Sequence, residues 1–131
     1  EKLGHIFINR SDRDAAIASL NEARVRLSHG ASVLFFPEGT RSRDGQLKPF
    51  KKGAFKMAQE LQLPILPVTL TGTFDILPPG TARLQPGHQA TLTLHAPQPI
   101  PRNEEDVDRL MKTCHALIAQ PLTHACPQAL V

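Results

Sequence analysis

Apolar positions along the chain fall into two periods. His5 to Asn9 (HIFIN) and Ser32 to Phe36 (SVLFF) are short continuous β-rich runs, the pattern of strands buried on both faces. Between them Ile17, Leu20, Ala23 and Leu27 recur at helical spacing. Ser11 is placed to cap that helix, with Asp14 three residues on, and Gly30 to stop it. A second helix is predicted over roughly Phe50 to Leu61, with Phe50, Ala54, Met57, Ala58 and Leu61 on one side and Leu63-Pro64 closing it. Ile65 to Leu70 (ILPVTL) and Gln89 to His95, where Ala90, Leu92 and Leu94 alternate, read as strands. The Pro/Gly-rich stretch from Thr73 to Gly87 connects them.

The last helix carries the clearest amphipathic stripe: Val107, Leu110, Met111, Cys114, Leu117 and Ile118. Asn103 is its expected cap, Glu104, Glu105 and Asp106 fill its first turn, and Pro121 is its expected end. The order β-α-β-α-β-β-α predicts an α/β fold, a mostly parallel sheet with helices packed on it. One domain over residues 1–120 and a tail over 121–131 account for the chain. It opens on Glu1 and enters a strand almost at once, so the expectation is an incomplete domain, truncated at its N-terminal side.

Composition narrows the classes. A chain of 131 residues can bury about two-thirds of its extended surface on folding, so no staples are needed. Two cysteines, Cys114 and Cys126, make no disulfide framework. Their spacing with His115 and His124 fits no zinc finger, and Cys114 falls on an apolar helix face. No apolar run reaches the ~18 residues that span a bilayer. The net charge of +3 comes with no nucleic-acid-binding motif, so nucleic acid is not an expected partner. Charge is concentrated locally: Arg41, Arg43, Lys48, Lys51, Lys52 and Lys56 stand against Asp44 alone. Such a run could attract a phosphate or an anionic membrane surface; taken alone, a charge run is more often a solvated loop and helix face.

Candidate chemistry gathers in Phe36-Pro37-Glu38-Gly39-Thr40-Arg41-Ser42, directly after a predicted parallel strand, where ligand sites of such sheets lie. Gly39 lets a ligand approach the backbone, Thr40 adds a hydroxyl, and Arg41 can grip a phosphate with two parallel hydrogen bonds. The alternative for this segment is a turn whose Glu38 and Arg41 pair in solvent. Arg10 ends the first predicted strand. Were the two strands neighbours, Arg10 and Arg41 would emerge at one sheet edge and need an anion, or Glu38, between them.

The blocks Gly4-x-x-Phe7-Ile8-x-Arg10, Phe36-Pro37-Glu38-Gly39-Thr40-Arg41-Ser42, Pro49-Phe50-Lys51-Lys52-Gly53-Ala54 and Leu63-Pro64-Ile65-Leu66-Pro67-Val68 resemble, in order, motifs of the 1-acyl-glycerol-3-phosphate acyltransferase family. The resemblance implies an enzyme that transfers a fatty acyl group from an acyl thioester to the free hydroxyl of a lysophosphatidate-like acceptor. It implies substrate-binding roles for Arg10, Glu38, Gly39, Thr40 and Arg41, and an acyl-contact or structural role for Pro67. It implies no cofactor and no metal, with coenzyme A or acyl-carrier protein delivering the acyl group. Expected partners are the lysophospholipid acceptor, the acyl donor and a membrane surface, with membrane association on the cytoplasmic face.

Two departures stand out. Asn9 occupies a position that is often Asp in the family. The family's catalytic H-x-x-x-x-D block is also missing: five residues beyond His5, His29, His88, His95, His115 and His124 stand Arg10, Leu34, Thr93, Ile100, Gln120 and Ala129. The general base and its aspartate are therefore expected upstream, and no catalytic residue is assigned within this chain. Another reading keeps the binding loop without the base, as a non-catalytic lipid- or phosphate-binding domain. A nucleotide-binding α/β domain ranks last, for lack of both glycine-rich phosphate motifs.

Overall fold

The computed structural model describes residues 32–124 together with Val25 and Gly30. It divides into two units, Glu1–Phe35 and Phe36–Val131. In the first, Val25 is helical and Gly30 has φ +84°, the left-handed conformation of a helix stop. The predicted strand over His5 to Asn9 and the cap at Ser11 lie outside the described residues.

The predicted strand over Ser32 to Phe36 does not form a strand. Val33, Leu34 and Phe36 are 37%, 76% and 77% exposed, which corrects the expectation of a buried run. Hydrophobic pattern marks a segment as fit for a sheet but does not supply its partners, and no described segment pairs with this one.

In the second unit α1 runs Gly53–Leu61, β1 Val68–Thr71, α2 Thr73–Ile76, β2 Thr91–Leu94 and α3 Glu104–His124. The two strands pair antiparallel, with Val68 opposite Leu94 and Leu70 opposite Leu92. The described residues thus contain α/β structure with antiparallel pairing only. Pairing continues to a bridge between Ile65 and Gln98. Across that step Leu66 on one side matches Ala96 and Pro97 on the other, a bulge that accommodates a proline with no N–H to give.

α3 covers one face of the pair and also packs on α1. Phe55, Val107, Leu110 and Cys114 form the centre of the core, flanked by Phe50, Ala54, Ile65 and Met111. Phe50 stacks on Phe55 at 6.4 Å and meets the His115 ring edge-on at 4.8 Å. Thr69, 1% exposed, ties β1 to α3 and to His95 just beyond β2. Its hydroxyl donates to the Ile118 carbonyl oxygen at 3.1 Å and lies 2.8 Å from His95 Nε2. Because the hydroxyl hydrogen is spent on Ile118, the oxygen accepts from His95, which fixes Nε2 as the protonated nitrogen. The opposite sheet face carries Leu66, Leu70, Leu92 and Leu94, all exposed.

The ends of α3 differ in how they were foreseen. Asn103 Oδ1 accepts the Asp106 N–H at 2.8 Å, the expected cap, and Asp106 Oδ2 accepts the Arg102 N–H at 3.1 Å. Pro121, however, sits inside the helix, which continues to His124. Proline withholds the hydrogen bond due to Leu117 and crowds that turn. The Thr69 hydroxyl serves the neighbouring carbonyl of Ile118, so the sheet supports the helix where proline weakens it. The helix end expected at Pro121 is therefore corrected to His124.

Helix α1 begins at Gly53, later than predicted, and ends with Gln62 in the left-handed region at φ 55°. Leu63 N–H bonds Ala58 O at 3.0 Å and Gln62 N–H bonds Gln59 O at 3.2 Å, a Schellman closure made without glycine. Between the strands, Gly72 at φ +79° lets the chain pass so close to Gln89 that an added Cβ would lie 2.0 Å from its carbonyl oxygen.

Candidate phosphate-binding loop

The loop from Phe36 to Lys51 is built on a tight turn. Pro37 presets the second position, and the Gly39 N–H donates to the Phe36 carbonyl oxygen at 3.0 Å. Gly39 then adopts φ +77°, which a side chain would oppose. The far end of the loop returns to the same place, where the Lys51 N–H donates to Pro37 O at 2.8 Å.

Glu38 fastens the loop from within. Its Oε2 accepts the Lys48 backbone N–H at 2.9 Å. The solvent pair between Glu38 and Arg41 does not form. Lys48 Nζ in turn donates to Thr40 Oγ1 at 3.3 Å and to the Arg41 carbonyl oxygen at 3.1 Å. At the tip, Asp44 Oδ1 accepts the Ser42 hydroxyl at 2.7 Å and the Gln46 N–H at 3.1 Å. Those two bonds, the Ser42 one foremost, hold the Asp44 carboxyl below the usual range, so it stays charged and occupied.

The result is a turn with donors left over. Thr40 accepts from Lys48, so its own hydrogen remains available to a ligand. Arg41 is exposed, and its guanidinium has no hydrogen-bond or ionic partner among the described residues. Glu38, Gly39, Thr40 and Arg41 thus sit together, the carboxylate turned to the loop's own backbone. Arg10 lies outside the described residues. Pro67 is buried at the entry to β1, where its carbonyl accepts the His95 N–H at 3.1 Å.

Structure also sorts the basic run. Lys52 Nζ lies 2.6 Å from Asp108 Oδ1 and 3.9 Å from Glu104 Oε1, and Lys56 Nζ 3.1 Å from Glu104 Oε1. The Asp108 contact, first of all, pushes the Lys52 pKa up. Lys48 and Lys51 instead turn to the loop. A Cβ placed on Gly39 would meet Lys51 Nζ at 2.9 Å, so the lysine stem lies over the bare glycine. Sequence reasoning missed Lys48 as the loop's closing residue. Its signal was available in hindsight, as a lysine preceding Pro49 where the chain must fold back on Glu38.

Cys114 is buried in the core, and desolvation pushes its thiol up to about 11. Among the described residues no group of three His, Cys, Asp or Glu side chains could hold a metal, and no helix is long and apolar enough to cross a membrane.

Comparison with known proteins identifies the chain's family. Residues 1–71 match the family model described as Acyltransferase. A 1-acyl-sn-glycerol-3-phosphate acyltransferase of Chlamydomonas reinhardtii is 41% identical over 91% of this chain and 35% of its own length. One from Limnanthes douglasii is 45% identical over 81% of this chain and 37% of its own length. The crystal structure of the 1-acyl-sn-glycerophosphate acyltransferase PlsC from Thermotoga maritima superposes with a TM-score of 0.70 at 32% identity, covering 83% of this chain and 44% of that one. The chain spans roughly a third of the length of these curated relatives. A family match over more than half its residues, a shared fold and the Pro37–Arg41 turn together establish that the chain belongs to the acyltransferase family.

Proposed function

We propose that the protein transfers a fatty acyl group from an acyl thioester to the free hydroxyl of a lysophosphatidate-like acceptor, and that this chain supplies the acceptor-phosphate site. The observation that carries the reading is the Pro37–Arg41 turn. It is braced by Glu38 on Lys48 N–H and leaves the Arg41 guanidinium and the Thr40 hydroxyl unspent. Similarity to enzymes named 1-acyl-sn-glycerol-3-phosphate acyltransferases supports the reaction.

In this scheme Arg41, with Arg10, anchors the phosphate while Thr40 and the Gly39 backbone complete its hydrogen bonds. The acceptor hydroxyl oxygen attacks the thioester carbonyl carbon, forming the ester C–O bond. The C–S bond breaks, and the hydroxyl proton passes through a histidine base to the departing thiolate. No histidine of this chain stands five residues before an aspartate, so none is assigned as that base. The step calls for no cofactor; coenzyme A or acyl-carrier protein is the carrier. Pro67, buried at the entry to β1, keeps its acyl-contact or structural role.

The same reading assigns residues 1–120 to one acyltransferase domain and 121–131 to a tail. It gives the acyltransferase domain a mostly parallel sheet with helices packed on it. The acceptor is a membrane lipid, which supports membrane association at the cytoplasmic face; nucleic acid has no part in the reaction. The test is acyl transfer by the full-length protein to lysophosphatidate against monoacylglycerol, which lacks the phosphate. Preference for the phosphorylated acceptor, abolished by Arg41→Ala, is expected. Equal use of both acceptors would defeat the assignment.

A further inference from the structure

The lysine run does two jobs, and only one is structural. Lys52 and Lys56 are neutralised by Glu104 and Asp108 of α3. Lys51, their neighbour, has no acidic partner among the described residues, although its side chain is not directed at open solvent alone. It lies along Gly39, with Nζ 2.9 Å and Cε 3.0 Å from where a Cβ would stand. The Lys51 backbone is tied to Pro37 O at 2.8 Å, which fixes the root of that side chain beside the turn. Lys48 brings its ammonium to the same loop, at the Arg41 carbonyl oxygen and Thr40 Oγ1. Three cationic groups, Arg41, Lys48 and Lys51, therefore border one glycine turn. The carboxylate within it, Glu38, accepts a backbone N–H. The first turn of α1, which follows Lys51, carries no acid either.

The three cations outnumber the loop's carboxylates, Glu38 and Asp44, which are both engaged by the loop's own donors, and the surplus positive charge favours an anion. We propose that Lys51 is a second phosphate-binding residue, its ammonium closing over Gly39 to hold the acceptor's phosphate together with Arg41. The inference rests on the reading of this loop as the acceptor-phosphate site and adds the residue that completes it. It also gives Gly39 a purpose beyond its backbone angle, since any Cβ there would displace the ammonium. Lys48 is the loop's brace; Lys51 is the contact.

The experiment uses the full-length protein with lysophosphatidate in mixed micelles and glycerol 3-phosphate as competitor, glycerol being the uncharged control. Lys51→Met keeps the stem over Gly39 and removes the charge; Lys51→Arg restores charge. Lys52→Met reports on the α1–α3 ion pair alone. Lys51→Met is expected to raise the acceptor KM about tenfold or more, as for loss of one charge-assisted contact, with kcat and Tm little changed. Inhibition by glycerol 3-phosphate should weaken in parallel, while glycerol is indifferent. Lys51→Arg should recover most of both, and Lys52→Met should lower Tm and leave KM alone. An unchanged KM in Lys51→Met beside a raised KM in Arg41→Ala would overturn the role of Lys51 and leave the loop's assignment standing. A fall in kcat and Tm together, without a KM effect, would make Lys51 a brace and overturn the proposal. If neither Lys51→Met nor Arg41→Ala moved KM, the phosphate site itself would lie elsewhere.

Discussion

Glu38 Oε2 accepts the backbone N–H of Lys48 at 2.9 Å, across ten positions of sequence. A carboxylate committed in this way shapes the loop. Glu38→Gln retains a carbonyl oxygen for that N–H, so it should keep most of the acceptor affinity. Glu38→Ala leaves the N–H without its partner, at a cost of roughly 1.5–3 kcal/mol for a bond to a charged group. Acceptor KM and thermal unfolding of the pair check this. Equal damage from both substitutions would mean that the carboxylate's charge faces the ligand.

Arg41 bears the opposite expectation, because its guanidinium is unengaged within the described residues. Arg41→Ala should raise acceptor KM by about tenfold to a few hundredfold, the value of one charged hydrogen bond or a bidentate pair, with Tm unchanged. Arg41→Lys should recover little, since an ammonium cannot reproduce the planar fork. Steady-state kinetics with varied lysophosphatidate measure both.

Gly72 is required by its surroundings as well as by its φ of +79°. An alanine Cβ would lie 2.0 Å from the Gln89 carbonyl oxygen, a backbone atom that cannot swing aside. Gly72→Ala should therefore destabilise by at least ~2 kcal/mol, strain and clash combined. Urea unfolding gives the value directly. Gln62→Gly tests the reverse case, a left-handed residue in free space at the end of α1. It should stabilise by about 0.5–1 kcal/mol, less whatever the Gln62 side chain contributes by donating to Gln59 O at 2.7 Å.

What the sequence disclosed follows the range of the forces involved. The Asn103 cap and the stripe from Val107 to Ile118 were legible because each is settled within a few residues on one helix. The Pro37–Gly39 turn was legible for the same reason. Ser32–Phe36 was not, since its apolar letters do not name the strands that would flank it. Pro121 was misjudged because the hydroxyl that supports its helix comes from Thr69, far away along the chain. The division of the lysine run was equally hidden. Glu104 and Asp108 claim Lys52 and Lys56 only once α3 has packed on α1. The α/β class and the Pro37–Gly39 turn could be read from local pattern; the sheet's pairing and the partners of individual charges depended on tertiary contacts.

Stability at alkaline pH should report on the core. Burial pushes the Cys114 thiol from 9.0 up to about 11, so the unfolded chain releases this proton at lower pH than the folded one. Its contribution is fully present below pH 9 and is lost as pH rises through about 11. The loss over that interval reaches roughly 3 kcal/mol, at 1.36 kcal/mol per pKa unit. Lys52 acts with the same sign. Asp108 raises its pKa above 10.5, so the ion pair's stabilisation holds below that value and fades above it. Cys114→Ala should cost roughly 1 kcal/mol at neutral pH through lost packing. It should also flatten the decline between pH 9 and 11, leaving only the lysine's smaller share. Urea midpoints at pH 8, 9, 10 and 11 for the two proteins measure this, and parallel declines would show that the thiol ionises in the folded chain as readily as in the unfolded one.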